Sequence, residues 1–151
     1  MNEINNRPVI HTTHNHFNLN IFLNEKCKYA QNIDEFVNNI QVGLEDLENM
    51  GRFGYVEGIS KIIIKHLNAL DIYTRPIHCT DLKRETIYIK YENAWNKENE
   101  NKTQIKKAIE KIANQNIKMI PVWHEKNPDS YHVNTPKYEQ RVSIMMEDIL
   151  S

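Results

Sequence analysis

The stretch RPIHCTDLKRETIYIKYENAW, residues 75–95, decides the fold that we predict for this chain of 151 residues. Pro76 disfavours helical backbone at the residue before it, so the chain enters the stretch in an extended conformation. Residues 77–79 favour a short strand, and residues 85–91 show the period-2 alternation of a half-buried strand. The residues between them favour a turn. The stretch therefore predicts a central β-hairpin with basic residues at its tip.

Helical periodicity flanks the β-hairpin on both sides. Upstream, apolar residues recur with a 3.6-residue period over about residues 33–50 and 54–70, which predicts two amphipathic helices that form a helical hairpin. Downstream, two C-terminal helices are predicted over about residues 102–116 and 136–150, the last of which begins at a Thr-Pro pair typical of a helix start. Residues 124–134 are polar and predict a loop. The expected fold class is α+β, mainly helical.

The N-terminal region predicts a strand without a neighbouring partner. Phe17, Leu19 and Ile21 alternate with asparagines, again with a period of 2, and no adjacent run can pair with them through a short turn. Because an unpaired edge with alternating apolar residues is prone to pair with another chain, we expect a homo-oligomer formed through this strand. Residues 1–15 are predicted to be a flexible segment, and residues 16–151 a single α+β domain.

Composition and charge argue against several classes of protein. The net charge is −1, which predicts no global attraction to nucleic acid or membranes. No apolar run reaches the ~20 residues that a membrane span needs, and the N-terminus lacks the features of a signal peptide. The two cysteines have no spacing typical of a zinc site and indicate reduced thiols. We therefore expect a protein that is not secreted, has no membrane partner and uses no cofactor.

The charges are distributed unevenly along the chain. Residues 60–118 carry 12 Lys and Arg against 7 Asp and Glu, a net +5, and the remainder carries 7 against 13, a net −6. This asymmetry predicts one basic face, which is either a solvated helix surface or a surface that contacts phosphates. The candidate residues for contact with nucleic acid or a partner lie on the β-hairpin and the third helix: Arg75, Lys83, Arg84, Lys90, Trp95, Lys106 and Lys107.

The Cys–His pair within the β-hairpin suggests catalysis but does not support it. His78 and Cys79 are neighbours on a predicted strand, so their side chains point to opposite faces and cannot form a nucleophile–base pair with each other. A dyad of Cys79 with a distant histidine stays open, as does a buried structural cysteine. A metal-dependent nuclease built on His78, Asp81 and Glu85 is a further hypothesis, although turns are rich in Asp for conformational reasons.

Three histidines near the N-terminus are weak candidates for a metal site. Imidazole is a good ligand for transition metals. In a strand, however, His14 and His16 share one face while His11 points to the other, and no acidic or Cys ligand is close in sequence. The alternative is that they are polar residues on the solvated face of a strand.

Several runs resemble a domain of uncharacterised proteins from nucleocytoplasmic large DNA viruses, the giant-virus group. These runs are HFNLNIFLNEKC (16–27), NIDEFV (32–37), DLENMGRFGYVEGISKIIIKHLNALD (46–71), RPIHCTDLKRETIYIK (75–90) and AW (94–95). In longer relatives the domain is C-terminal and follows a C2H2-type zinc finger and a coiled-coil or Asn-rich linker. The resemblance implies a viral origin, a location in the host cytoplasm, viral factory or virion, and a role beside a nucleic-acid-binding module. It implies no catalytic residues, and this chain lacks the Cys and His spacing of a finger.

We therefore expect a non-enzymatic viral oligomerisation and interaction domain that is associated with DNA-binding viral proteins. The first alternative is direct binding of DNA or RNA through the basic hairpin and the lysine-rich third helix. The second alternative is a metal-dependent nuclease or a Cys-dependent enzyme.

Overall fold

The structure is a computed structural model that describes residues 19–81 and 86–150. It confirms the predicted class, a mainly helical α+β fold with an antiparallel sheet. In the described residues the α-helices are α1 (Ile33–Asn38), α2 (Leu44–Phe53), α3 (Tyr55–Asn68), α4 (Thr103–Ile117), α5 (Ile120–Lys126) and α6 (Pro136–Leu150). The strands are β1 (Ile77–Asp81), β2 (Thr86–Tyr91) and β3 (Ala94–Lys97), arranged in the order β1-β2-β3.

The predicted central β-hairpin is present and is extended by a third strand. Ile77 of β1 lies opposite Ile89 of β2, and the register shifts before the end of β1. Glu92 and Asn93, which connect β2 to β3, have φ angles of 50° and 62°. Positive φ at both central residues is typical of a two-residue hairpin turn whose twist matches that of the strands. Trp95 therefore lies on a strand, β3, that the sequence analysis did not predict.

Hydrogen bonds connect this turn to the start of α1. The Asn32 side-chain oxygen accepts from the Asn93 backbone N–H at 2.8 Å, and the Asn32 amide donates to the Asn93 side-chain oxygen at 2.9 Å. Asn32 is also the N-cap of α1, and the Glu35 carboxylate accepts from its backbone N–H at 3.2 Å. The predicted start of the helix near Asn32 is thus confirmed, and the same residue holds the helix against the sheet.

The N-terminal strand predicted around Leu19 and Ile21 is wrong. Both residues are α-helical, and the chain continues as a π-helix over Phe22–Lys26. Leu19, Leu23 and Cys27 follow one another at intervals of four, which places them on one side of this N-terminal helical segment. Leu23 and Cys27 are buried. Burial of this helical stripe outweighs the local alternation that favoured a strand.

The helix predicted over residues 33–50 is divided into α1 and α2. Gly43 is extended, with φ −103° and ψ 177°, and the Asp46 carboxylate accepts its N–H at 2.9 Å, which starts a new helix. The second boundary lies at Gly54, whose φ of 94° is unfavourable for other residues. Gly51 lies within α2, which continues to Phe53.

The two predicted C-terminal helices correspond to α4 and α6, but the loop predicted over residues 124–134 is largely wrong. Helix α5 extends to Lys126, and a 3-10 helix follows over Pro128–Tyr131. Trp123 is fully buried, as is Ser130. Because Trp123 and Ser130 hold the segment between α4 and α6 in the interior, this segment forms helical turns instead of a loop.

Most of the buried apolar side chains form two clusters. The main core joins α1, α3, β2 and α4, whereas the second core joins α2, α5 and α6 through Leu47, Met50, Trp123 and Ile144. Tyr55 packs against both clusters and connects them. In the part of the chain described here, no helix combines the length and apolar character that crossing a bilayer requires.

Candidate interaction surfaces

Some of the predicted site residues lie outside the described residues, and their roles stay predictions. They are His11, His14, His16, Phe17, Lys83, Arg84 and Glu85, together with the segment 1–15.

The structure corrects the role predicted for Lys90. Its side chain is only 4% exposed, and its ammonium donates to the Lys28 carbonyl at 2.7 Å. The ammonium also lies 5.9 Å from the centre of the Trp95 ring. Strand alternation places Lys90 on the face opposite Ile87 and Ile89, and the residues that follow the N-terminal helical segment cover this face. Lys90 is therefore a structural residue and not a contact for nucleic acid or a partner.

Trp95 and Arg75, which were also predicted to make contacts, are half-buried. The Trp95 indole N–H donates to the Cys27 carbonyl at 3.1 Å, and the Arg75 Nε donates to the Leu70 carbonyl at 3.2 Å. Both side chains thus stabilise neighbouring parts of the chain. Lys90 and Trp95 thus hold the end of the N-terminal helical segment against the sheet, and Arg75 holds the chain that follows α3.

The structure forms a Cys–His pair that differs from the one in the sequence. The His78 Nε2 lies 3.7 Å from the Cys27 Sγ, while Cys79 is exposed. The imidazole packs edge-on against the Phe22 ring with centres 5.1 Å apart, and 5.5 Å from Trp95. Spacing along the chain could not reveal the pair, because 51 residues separate its members.

Burial makes this pair a poor nucleophile and base. It raises the pKa of the Cys27 thiol above 9.0, partly offset by the Lys90 charge. Burial is also the main cause that lowers the pKa of His78 below 6.5, and Arg75 lowers it further against a backbone hydrogen bond at Ile72. Both groups are therefore neutral near pH 7, whereas nucleophilic cysteines require the thiolate. Among the described residues, no three His, Cys, Asp or Glu side chains are grouped as metal ligands.

The lysines predicted on the third helix lie on α4. Lys106 and Lys107 are exposed, as are Lys111 and Lys118 farther along. Lys107 and Lys111 border a groove between α1 and α4 that also contains Asp34 and Glu110. The groove therefore carries charges of both signs.

An apolar patch that the sequence analysis missed lies on the solvent side of α3. Val56 and Ile64 are 77% and 55% exposed, and Phe53, just before the helix, is 42% exposed. Ser60 falls between Val56 and Ile64 at helical spacing, so these residues share one side of the helix. We call Phe53, Val56, Ser60 and Ile64 the outer α3 face. The available sequence signal was the spacing of Val56, Ser60 and Ile64 at intervals of four residues.

Charged residues flank the outer α3 face. Glu57 and Lys61 are exposed and lie one turn apart along one edge of the face. The Lys61 ammonium lies 4.8 Å from the centre of the Phe53 ring, and the Arg52 guanidinium lies 5.7 Å from it. These contacts hold Phe53 against the edge of the face that carries Lys61.

No protein-family model, curated protein or solved structure matches this chain. The family resemblance therefore stays a prediction that rests on the sequence runs quoted for it.

The buried position of Lys90 generates a stability prediction. In Lys90→Met the apolar stem is kept but the hydrogen bond to the Lys28 carbonyl is lost, so we expect the free energy of unfolding to fall by about 1–2 kcal/mol. Urea denaturation measures this change. The control is Lys97→Met at an exposed position of the same sheet, which should change stability by less than about 0.5 kcal/mol. Equal stability of the two variants would contradict the structural role of Lys90.

The lowered pKa of His78 generates a prediction on pH dependence. In the unfolded chain His78 binds a proton at about pH 6.5, whereas in the folded chain it does so only at lower pH. The stability that the neutral, buried imidazole contributes is therefore complete above about pH 6.5. It is lost as the pH falls through the folded pKa of His78. In urea denaturation, His78→Gln should therefore lose less stability than the parent chain between neutral and mildly acidic pH.

The two chains should show the same pH dependence above neutral pH, which provides an internal control. A residual dependence is expected from His124, whose pKa is lowered first by burial and then by the charge of Arg141. An unchanged acid sensitivity in His78→Gln would show that His78 does not titrate as its environment requires.

Proposed function

We propose that this chain is a non-enzymatic interaction domain that self-associates through the outer α3 face. The observation that carries the proposal is the exposure of Val56 and Ile64 on α3. Contiguous apolar surface rimmed by charged residues is typical of protein–protein interaction sites. The Cys27 thiol is fully buried, so the Cys27–His78 pair presents no nucleophile at the surface of the protein.

A second copy of this chain fits the outer α3 face because the face is self-complementary. In a two-fold symmetric dimer each residue i that contacts residue j is matched by j contacting i. An antiparallel pair of α3 helices with its axis near Ser60 brings Val56 of one copy against Ile64 of the other. The same pairing brings Glu57 against Lys61 twice, and Ser60 is small enough for a close approach. Opposite charges in these positions favour this arrangement over a parallel one.

The width of the surface limits the strength of the association. Stable interfaces bury about 800 Å² on each partner, whereas the outer α3 face is one helix wide. We therefore expect a weak, reversible dimer with a dissociation constant of about micromolar or above. A second contact with the same geometry in a larger assembly would strengthen it through effective concentration.

The proposal extends to the setting that the family resemblance implies. A weak homodimer is suited to bring together two copies of a nucleic-acid-binding protein in a giant-virus factory or virion. Association with DNA-binding viral proteins is thus the cellular role that we propose for this domain. It rests on the quoted sequence runs alone.

Charge exchange gives a sharp test of the dimer. Glu57→Lys places a positive charge against Lys61 of the second copy. We therefore expect the dissociation constant of the dimer to rise at least about tenfold above that of the parent chain. The double variant Glu57→Lys with Lys61→Glu restores complementarity and should recover most of the parent affinity. Sedimentation velocity over a range of protein concentrations measures each dissociation constant.

A pair of apolar variants provides the matched control. Val56→Ser with Ile64→Ser should abolish dimerisation, while Val133→Ser, at a residue that is 65% exposed in a loop, should leave it unchanged. A parent chain that stays monomeric at all concentrations would refute self-association. Equal effects of the two sets of serine variants would refute the assignment to the outer α3 face.

Direct binding of nucleic acid is the second candidate function. It is favoured by the exposure of Lys106, Lys107, Lys111 and Lys118 on and just after α4. The contribution of Lys90 is lost because its ammonium is buried, and Asp34 and Glu110 reduce the positive potential of the neighbouring groove. Any binding by this surface is therefore expected to be weak and strongly dependent on salt.

Charge reversal on α4 tests this second function. If α4 contacts phosphates, Lys107→Glu with Lys111→Glu should weaken binding to a short DNA duplex and reduce the salt slope by about 2. Fluorescence anisotropy of the labelled duplex measures both effects. The control is Lys126→Glu at an exposed position of α5. Equal binding by all three chains, or no binding at low salt, would count against α4 as a nucleic-acid surface.

A further inference from the structure

The main core contains a cavity of about 220 Å³ where α1, α3, β1 and α4 meet. Its nine lining residues are all apolar, and no polar atom contributes to its surface. The aromatic ring of Phe36 and five isoleucine side chains make up most of this lining. Helix α3 contributes Ile63 and Leu67 to this lining, and the lining contains none of the residues of the outer α3 face.

An apolar lining determines what the cavity can hold. A buried water needs about two to four polar partners, and apolar cavities of about 150 Å³ stay dry and bind benzene or xenon. Without an occupant, the lining atoms lose van der Waals contacts, which destabilises a fold in proportion to the empty volume. The larger volume found here therefore favours an apolar occupant over water.

One side of the cavity is accessible from solvent. Ile63, Leu67, Ile77 and Ile105 are only partly buried, whereas Ile112 is fully buried. The entrance thus lies between α3, β1 and the start of α4, and Ile112 forms part of the floor. A small molecule can enter without separation of the two cores.

The neighbouring groove has different chemistry. It shares Ile33, Val37 and Ala108 with the cavity but continues to Lys107 and Glu110. A charged or strongly polar ligand would be retained on that side by ion pairs and hydrogen bonds, whereas the cavity offers it neither. Selection inside the cavity can operate only through shape and volume.

We infer that this cavity is a binding site for a small uncharged apolar molecule, an aromatic ring or branched hydrocarbon group of about the size of benzene or slightly larger. Binding of such a group requires no polar partner and fills volume that neighbouring side chains leave open.

The isoleucines of the cavity provide the test. In a sample with carbon-13 at the isoleucine δ1 methyl groups, addition of benzene should shift a defined set of signals in a saturable manner: those of Ile33, Ile63, Ile77, Ile105 and Ile112. Ile120 and Ile144, which belong to the second core, should not shift. Absence of saturation, or equal shifts in both cores, would overturn the proposal. The proposal would also be overturned if these methyl groups lay close to a segment of the chain itself that already fills the cavity.

Two variants separate filling of the cavity from loss of the fold. Ala108→Leu adds volume at the lining and should weaken benzene binding at least about tenfold, with an unchanged Ile144 signal as evidence of folding. Leu67→Ala widens the entrance at a partly exposed position and should strengthen binding of naphthalene by at least about threefold. If Ala108→Leu fails to fold, the Leu67→Ala result alone decides. An unchanged naphthalene affinity in Leu67→Ala would overturn the proposed entrance and the site.

Discussion

The close contact between α2 and α3 fixes the orientation on which the proposed interaction surface depends. A Cβ atom on Gly58 would lie 2.7 Å from the Met50 Cα, so this crossing is possible only with glycine. The crossing determines which side of α3 faces α2, and Val56, two residues before Gly58, lies on nearly the opposite side of the helix. Val56 consequently points to solvent although its side chain is apolar. The outer α3 face is thus a result of backbone proximity at one point.

The second core holds α2 from its other side. A Cβ atom on Gly51 would lie 2.7 Å from the Ile144 Cγ1, so α6 also approaches α2 closely. The Trp123 indole donates to the Glu48 carboxylate at 2.8 Å and connects α5 to the same helix. At the start of α3, the Tyr55 N–H donates to the Glu147 carboxylate of α6 at 2.9 Å. Helix α2 is therefore packed between α3 and α6. Helix α6 also accepts a hydrogen bond from a backbone N–H in the first turn of α3.

The sequence predicted the elements whose signals are local. The Thr135 hydroxyl accepts from the Tyr138 N–H at 3.1 Å, as expected of a helix start. Lys90 shows why the candidate site was harder to predict. Alternation along a strand distinguishes its two faces but does not reveal what covers each one. The N-terminal helical segment, whose end covers Lys90, was predicted to be a strand because apolar and polar residues alternate around Leu19. Its helical stripe was therefore missed, and with it the burial of Lys90.

The two cysteines differ in their accessibility to thiol reagents, and this difference depends on folding. Cys79 is exposed on β1, while Cys27 is buried beneath the contact between the N-terminal helical segment and the sheet. A thiol reagent therefore meets one reactive group in the native chain and a second only after that contact opens. Because exposure of a protected group follows the free energy of the opening event, the modification rate of Cys27 reports how firmly the segment is attached. The same asymmetry allows a spectroscopic label to be placed at Cys79 alone.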